Sequence, residues 1–258
     1  MKLIILILLL SSCTTTTKTT EELISGTTNS NNSSTNSSPN TSIGNIQLRK
    51  EITKIKLGKK LKLWSTYYFT PSFISGSGSY CLRDKNAKCI SKGIRHDQKC
   101  FIQMQGSGVI DGKMYAYHSA KSGVPRKDSC AKYGKAWRGS GNVRFYVDQN
   151  FKYGKGSFNN SLYPFKSIAC PPQYRNRTRI YVPAAVGVLV SNVPHTGVFH
   201  CDDRGGAIKG NHIDTFLGLI DYSTNWKMKD WARPAKYNPF KHVKSSSSKT
   251  FDAFLVIE

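Results

Sequence analysis

The sequence is short of acid. Only 15 Asp and Glu residues stand against 38 Lys and Arg, a formal net charge of +23, and between Gln149 and Cys201 there is no Asp or Glu at all. So basic a chain carries a field that attracts polyanions, and each of its few acids becomes worth locating. Long apolar runs are equally scarce: the longest, Leu3–Leu10, holds eight residues, whereas a membrane-spanning helix needs about 20. No Cys-x-x-Cys or His-x-x-x-His spacing occurs, so neither a metal nor another cofactor is expected. No internal repeat of fixed period is visible.

What is present begins with a leader. Lys2 precedes the apolar run, which ends in Leu10-Ser11-Ser12-Cys13; residues 1–12 read as an export signal. Small residues directly before a cysteine resemble the bacterial lipobox, which implies acylation of Cys13, a membrane anchor through the lipid, and an envelope location. Thr14 points to the periplasmic face of the outer membrane. Residues 13–50 are dominated by Thr, Ser and Asn and lack the apolar side chains that would repay ordering, so a disordered tether is expected. Export also interprets the charge. In a cytosol, Tyr115, Tyr117, Tyr133 and Tyr153 among the lysines would suggest stacking on bases. Outside it, the available polyanions are the cell wall and lipid headgroups, and no nucleic-acid partner is expected.

Residues 51–258 form one domain with an excursion at about 121–158, rich in Lys, Arg and Gly. Strand signals dominate: Leu63–Phe69, Cys100–Met104, Val143–Val147, Ile180–Val190, Gly197–His200 and Phe254–Ile257 are β-branched or aromatic runs bounded by turn residues. Only Asp221–Ala232 suggests a short helix. This pattern predicts a mainly β sandwich or small barrel. Six cysteines follow Cys13, namely Cys81, Cys89, Cys100, Cys130, Cys170 and Cys201. In an exported chain they allow up to three disulfides, with fifteen pairings that sequence alone leaves open.

The scarce acids bracket one stretch, Asp203-Arg204-Gly205-Gly206-Ala207-Ile208-Lys209-Gly210-Asn211-His212-Ile213-Asp214. The Gly205-Gly206 pair permits positive φ and close approach of a ligand. Ala207-Ile208 would form a short buried strand and Lys209-Gly210-Asn211 a second turn. From His212 to Phe216 polar and apolar residues alternate, which puts His212, Asp214 and Phe216 on one face of a strand and Ile213 and Thr215 on the other. Both carboxylates are thereby able to converge at one mouth of a barrel.

Asp203 to Asp214 resembles the signature of the three-aspartate (3D) domain shared with the membrane-bound lytic murein transglycosylase A family. The segment Gln103-Met104-Gln105-Gly106-Ser107-Gly108 is similar to that family's Gln-Gly-Ser-Gly element, and Thr66-Tyr67-Tyr68 with Pro71 to its tyrosine-proline strand. The resemblance implies a double-psi β-barrel whose groove binds glycan strands of peptidoglycan. It also implies cleavage of the bond from N-acetylmuramic acid to N-acetylglucosamine without water, leaving a 1,6-anhydro end. Asp214 then becomes the single acid and base, with Asp203 raising its pKa or orienting it. Gly205, Gly206, Lys209, Gln105, Ser107 and Tyr68 become substrate contacts, with Lys209 orienting a carboxylate or meeting a peptide carboxylate. His195 and His212 are pH-sensitive neighbours. The chain is expected to act as a monomer.

Two departures from the family pattern stand out. A further acid some twenty residues before the motif is missing, and Asp221 is the nearest substitute. The chain is also too short for the second domain that closes the family's groove. The alternative reading is an expansin-like lipoprotein that binds peptidoglycan without cutting it.

Overall fold

The computed structural model describes residues 48–76, 78–120, 129–133, 142–222 and 249–257. The leader, Cys13, nearly all of the tether, much of the 121–158 excursion and the Asp221–Ala232 helix beyond Tyr222 lie outside these residues.

The chain is organised around one long strand, β1 (Lys56–Phe73). It begins seven residues earlier than its aromatic run predicts, because the alternating Lys-Leu pattern before Trp64 has a partner of matching charge. Lys60 and Lys62 lie on one face, two residues apart, and both reach Asp252, at 2.9 and 2.5 Å. Asp252 belongs to the last strand, β11 (Phe251–Ile257). The second half of β1 leaves β11 and pairs in parallel with β10 (His212–Asp221), in a register that sets Trp64 opposite His212 and Thr66 opposite Asp214. A shift in that register between Tyr68 and Thr70 bends the strand.

Six strands pair in a cycle that returns to its start. β1 joins β10, β10 joins β5 (Ser167–Ala169), β5 joins β9 (Val198–Asp203), β9 joins β6 (Arg179–Tyr181), β6 joins β11, and β11 joins β1. Each contributes to a single buried cluster: Leu63, Ile213, Ile168, Phe199 with Cys201, Ile180 and Ala253. The mainly β expectation is borne out. The sheet then extends past β1 through β2 (Ser107–Ile110), β3 (Lys113–Ala120) and β4 (Val143–Val147). A helix, α1 (His96–Gln105), packs on this extension over a second core that includes Phe69, Phe73, Phe101 and Phe145.

Several expectations are corrected. Cys100–Met104 lies in α1 and is not a strand: the Gln98 side chain accepts from the Arg95 N–H at 3.0 Å, and Gly106, at φ 82°, ends the helix by donating to the Ile102 carbonyl at 2.9 Å. Capping at both ends outweighs the strand-like composition. Ile180–Val190 is interrupted by a 3₁₀ turn at Pro183–Ala185, since proline cannot donate to a ladder. Beyond it lies a small hairpin of β7 (Leu189–Val190) and β8 (Val193–Pro194). Ala207-Ile208 is a turn, although Ile208 is buried.

The six described cysteines pair consecutively along the chain. Cys81–Cys89 closes a loop before α1, Cys100–Cys130 ties α1 to the turn Cys130–Tyr133, and Cys170–Cys201 links the end of β5 to β9 inside the cycle, with Cα separations of 5.6, 5.6 and 5.4 Å. The two longer loops, of sequence separation 30 and 31, each remove about 3–4 kcal/mol of unfolded-state freedom.

Candidate active site

A cleft of about 540 Å³ opens between the cycle and the sheet extension. Its floor is β10 and β1, its sides the end of β9 and the α1–β2 corner, and its rim the segment around Gly156. Asp214 reaches it from β10 because the alternation expected from the sequence holds: Ile213 joins the core within the cycle, while Phe216 packs with Tyr68 beneath the cleft, ring centroids 5.1 Å apart. Asp203 arrives from the last position of β9. The two acids come together although their strands are not neighbours in the sheet, β5 lying between them.

Their surroundings differ. The Asp203 Oδ1 accepts three hydrogen bonds, from the Ser157 amide at 2.8 Å, the Ser157 hydroxyl at 2.6 Å and the Arg204 amide at 2.7 Å. Burial raises its pKa and these donors oppose the rise. The Tyr68 hydroxyl lies toward Asp203 without meeting hydrogen-bond geometry, and its own pKa is pushed up by burial and by the adjacent carboxylates. For Asp214, burial above all, with the like charge of Asp203, lifts the carboxyl from an ordinary 3.8 to about 7, and a hydrogen bond donated by Thr66 would act against that rise. Its Oδ1 is buried with no hydrogen-bond partner among the described residues, and an unpaired ionised oxygen is far costlier there than an unpaired neutral one. No ion pair to Asp214 is found among the described residues.

The other expected residues divide. Gln105, Ser107, Tyr68, Gly205 and Gly206 line the cleft, with the Gln105 side-chain carbonyl also accepting from the Phe69 amide at 3.1 Å. Tyr68 is 9% exposed, so its ring is packing rather than an open platform. Neither Gly205 nor Gly206 has positive φ, contrary to expectation; a side chain on Gly205 would strike Ile208, whereas nothing lies near a side chain placed on Gly206. Lys209 is exposed and does not line the cleft. His195 is buried elsewhere, bonded to the Phe165 carbonyl at 2.9 Å, and burial holds its pKa down at about 4. Asp221 sits exposed at the far end of β10 and does not line the cleft, so it does not stand in for the missing acid. Among the described residues no group of His, Cys, Asp and Glu could hold a metal ion.

Sequence reasoning missed Ser157 and the adjacent Gly156, where any side chain would collide with the Asp202 carbonyl. That glycine lets the loop lie flat on β9 and carry Ser157 to Asp203. Tyr117, which is 47% exposed, and His118 from β3 also line the cleft. Their strand was not anticipated either.

Both acids lie in a segment with known relatives. Residues 166–230, a stretch that takes in β5, β6, β9 and β10, match the family model of the 3D domain. Among solved structures the chain is similar to a membrane-bound lytic murein transglycosylase from Agrobacterium tumefaciens, at 12% identity and a TM-score of 0.49, over 92% of this chain and 82% of that one. It is also similar to MltA of Escherichia coli with bound chitohexaose, at 17% identity and a TM-score of 0.44, over 76% and 72%. The lytic transglycosylase LtgG of Burkholderia pseudomallei aligns at 18% identity and a TM-score of 0.39, over 81% and 78%. No curated protein sequence matches the chain.

Proposed function

We propose that this protein is a peptidoglycan lytic transglycosylase, with Asp214 as its single acid and base and glycan strands as its substrate. The observation that carries the reading is an aspartate in a glycan-sized cleft whose pKa is lifted to about 7, beside a second aspartate whose donors favour its charged form. At neutral pH such a carboxyl is able both to give and to take a proton, as one group serving two half-reactions must. Asp214 protonates the bridging oxygen as the bond from the anomeric carbon to that oxygen breaks. The resulting carboxylate stabilises the positive charge on the sugar and removes the proton from the muramic C6 hydroxyl, whose oxygen closes onto the anomeric carbon. No water is consumed, and the carboxyl ends protonated, as it began.

The six-strand cycle supports reading the domain as a double-psi β-barrel. Gln105, Ser107, Gly205 and Gly206 are placed to meet the glycan. Asp203 and Tyr68 support Asp214 from below. Lys209 is assigned no contact. The lipid anchor at Cys13, the tether and the outer-membrane location belong to the same reading, in which a basic domain held near the wall works as a monomer.

The test is incubation of the purified soluble domain with peptidoglycan, followed by mass spectrometry. Anhydromuropeptides that vanish in Asp214→Asn support the enzyme. Pelleting with the wall and no soluble product in either form supports the expansin-like binder, which the missing third acid favours.

A further inference from the structure

The polar groups behind Asp214 form a chain that the cleavage reaction as described does not use. In the β1–β10 register Thr66 lies opposite Asp214, and Trp64 lies opposite His212. The Thr66 Oγ1 is 2.7 Å from the His212 Nε2. The Ala207 carbonyl faces the same ring as an acceptor and favours a proton on it, against the effect of burial. The His212 ring is stacked face to face on Trp64, centroids 3.6 Å apart and planes 5° from parallel. The ring is thus clamped on one face and engaged at both nitrogens.

These contacts fix who donates to whom. With Nε2 occupied by Thr66, the bond to the carbonyl falls to Nδ1, which must carry hydrogen because a carbonyl only accepts. A neutral imidazole protonated at Nδ1 has a lone pair at Nε2, so Nε2 accepts and the Thr66 hydroxyl donates to it. Burial keeps the ring neutral by lowering its pKa. A threonine has one hydroxyl hydrogen. Once it is given to His212, the Thr66 oxygen has only lone pairs left to offer Asp214.

We propose that Thr66 and His212 form a proton-holding pair: Thr66 presents an acceptor to Asp214, so the pair favours the protonated acid and disfavours the carboxylate. This rests on reading Asp214 as the catalytic acid and adds His212 as a positioning residue that acts through Thr66. Thr66 would depress the Asp214 pKa only by donating to it, and its hydrogen is already committed. The same pair serves the second half-reaction, because a carboxylate facing a lone pair is the stronger base. The other groups facing Asp214 are Tyr67 and Tyr68 from β1 and Asp203 from β9. None of them is a cation; Lys155 and Arg204 line the same cleft but are not among the groups that shift Asp214.

Carbon-13 NMR of the protein with labelled aspartate carboxyls reads the Asp214 midpoint without substrate; Asp214→Asn assigns the resonance. His212→Phe keeps an aromatic ring against Trp64 and removes the acceptor, freeing the Thr66 hydroxyl to turn toward the carboxylate. The Asp214 midpoint is expected to fall by about one pH unit, as for a carboxylate that gains a donor. Thr66→Ser is expected to keep the wild-type midpoint, and Thr66→Val to lower it, since the protonated acid loses its acceptor. An unchanged or higher midpoint in a folded His212→Phe overturns the proposal. So does a rise in Thr66→Val, which would show the hydroxyl donating to a carboxylate, and this second sign decides the matter should His212→Phe fail to fold. Because the titration needs no glycan, absence of anhydro products with the expected shifts intact would sink the enzymatic reading and leave the pair standing.

Discussion

Asp203 and Asp214 face one cleft and are both pushed up by burial, yet their neighbourhoods prepare them for opposite tasks. Asp203 sits at a strand end, where free backbone amides are available, and one of its oxygens collects three donors. Asp214 sits inside a strand, where the amides are committed to the ladder, and its Oδ1 collects none. The lesson is that backbone position selects the protonation state. A carboxyl at the end of a strand finds N–H groups that hold it as an anion, and one within a paired strand must rely on side chains or keep its proton.

The sharpest way to break this comparison is to remove the proton donor. Asp214→Asn keeps the shape and deletes the titration, and release of anhydromuropeptides is expected to fall by about a thousandfold, within the range for loss of a general acid and base. Loss of tenfold or less would make the two acids equivalent bystanders.

The same substitution has a second, smaller consequence, whose sign follows from the raised pKa. The folded state holds the Asp214 proton up to about pH 7 and the unfolded chain releases it near 3.8. Wild type therefore loses stability from this group as pH rises between those values, and the loss is complete above the upper one. It amounts to about 4 kcal/mol, at 1.36 kcal/mol per unit. Asp214→Asn is expected to be more stable than wild type at pH 8, less so at pH 5, and not at all below pH 3.8. Urea unfolding at the three values checks it, and an advantage that does not grow with pH would mean Asp214 is ionised at little cost.

Asp203 gives the converse. Ser157→Ala deletes one of its three donors, the hydroxyl at 2.6 Å, and leaves both amides. The expected cost is about 1.5–3 kcal/mol, as for one hydrogen bond to a charged group. The midpoint of Asp203 moves up, and the partial loss of its charge moves that of Asp214 down. Carboxyl NMR of the two residues reads the opposed shifts directly. Parallel movement would show that the pair is not coupled through charge.

The half of this arrangement carried by β10 was legible in the sequence. Alternation from His212 to Phe216 placed Asp214 and Phe216 on one face, and the glycine-rich turn marked Asp203 as its partner. What supports Asp203 was not legible, because Ser157 comes from 46 residues away on a loop whose composition resembles any polar loop. Thr66 was visible only as part of a resemblance; its meaning depends on the β1–β10 register, which no local pattern encodes. α1 was misread for a related reason. Its strand-like residues face the core, and the capping by Gln98 and Gly106 lies outside the apolar run. Local periodicity reported faces correctly, then, and missed whatever depended on which strand or loop arrives from elsewhere.

Lys209 supplies the smallest expected effect. It lies between the two acids in sequence, and in a chain with 38 Lys and Arg it is the cation most easily drawn into the chemistry. Its side chain is nevertheless exposed and off the cleft, and what the site uses of it is the backbone carbonyl, which accepts from the His212 amide at 3.1 Å. Lys209→Ala keeps that carbonyl. Stability is therefore expected to stay within about 0.5 kcal/mol of wild type, as for an exposed substitution, with product release and the Asp214 midpoint unchanged. Lys209→Pro gains a ring that restrains φ at the turn feeding β10, so it is expected to disturb His212 and, through it, Asp214. If alanine proved as damaging as proline in the same release assay, the side chain would be meeting a substrate carboxylate, and the division between the two acids would have to include a cation.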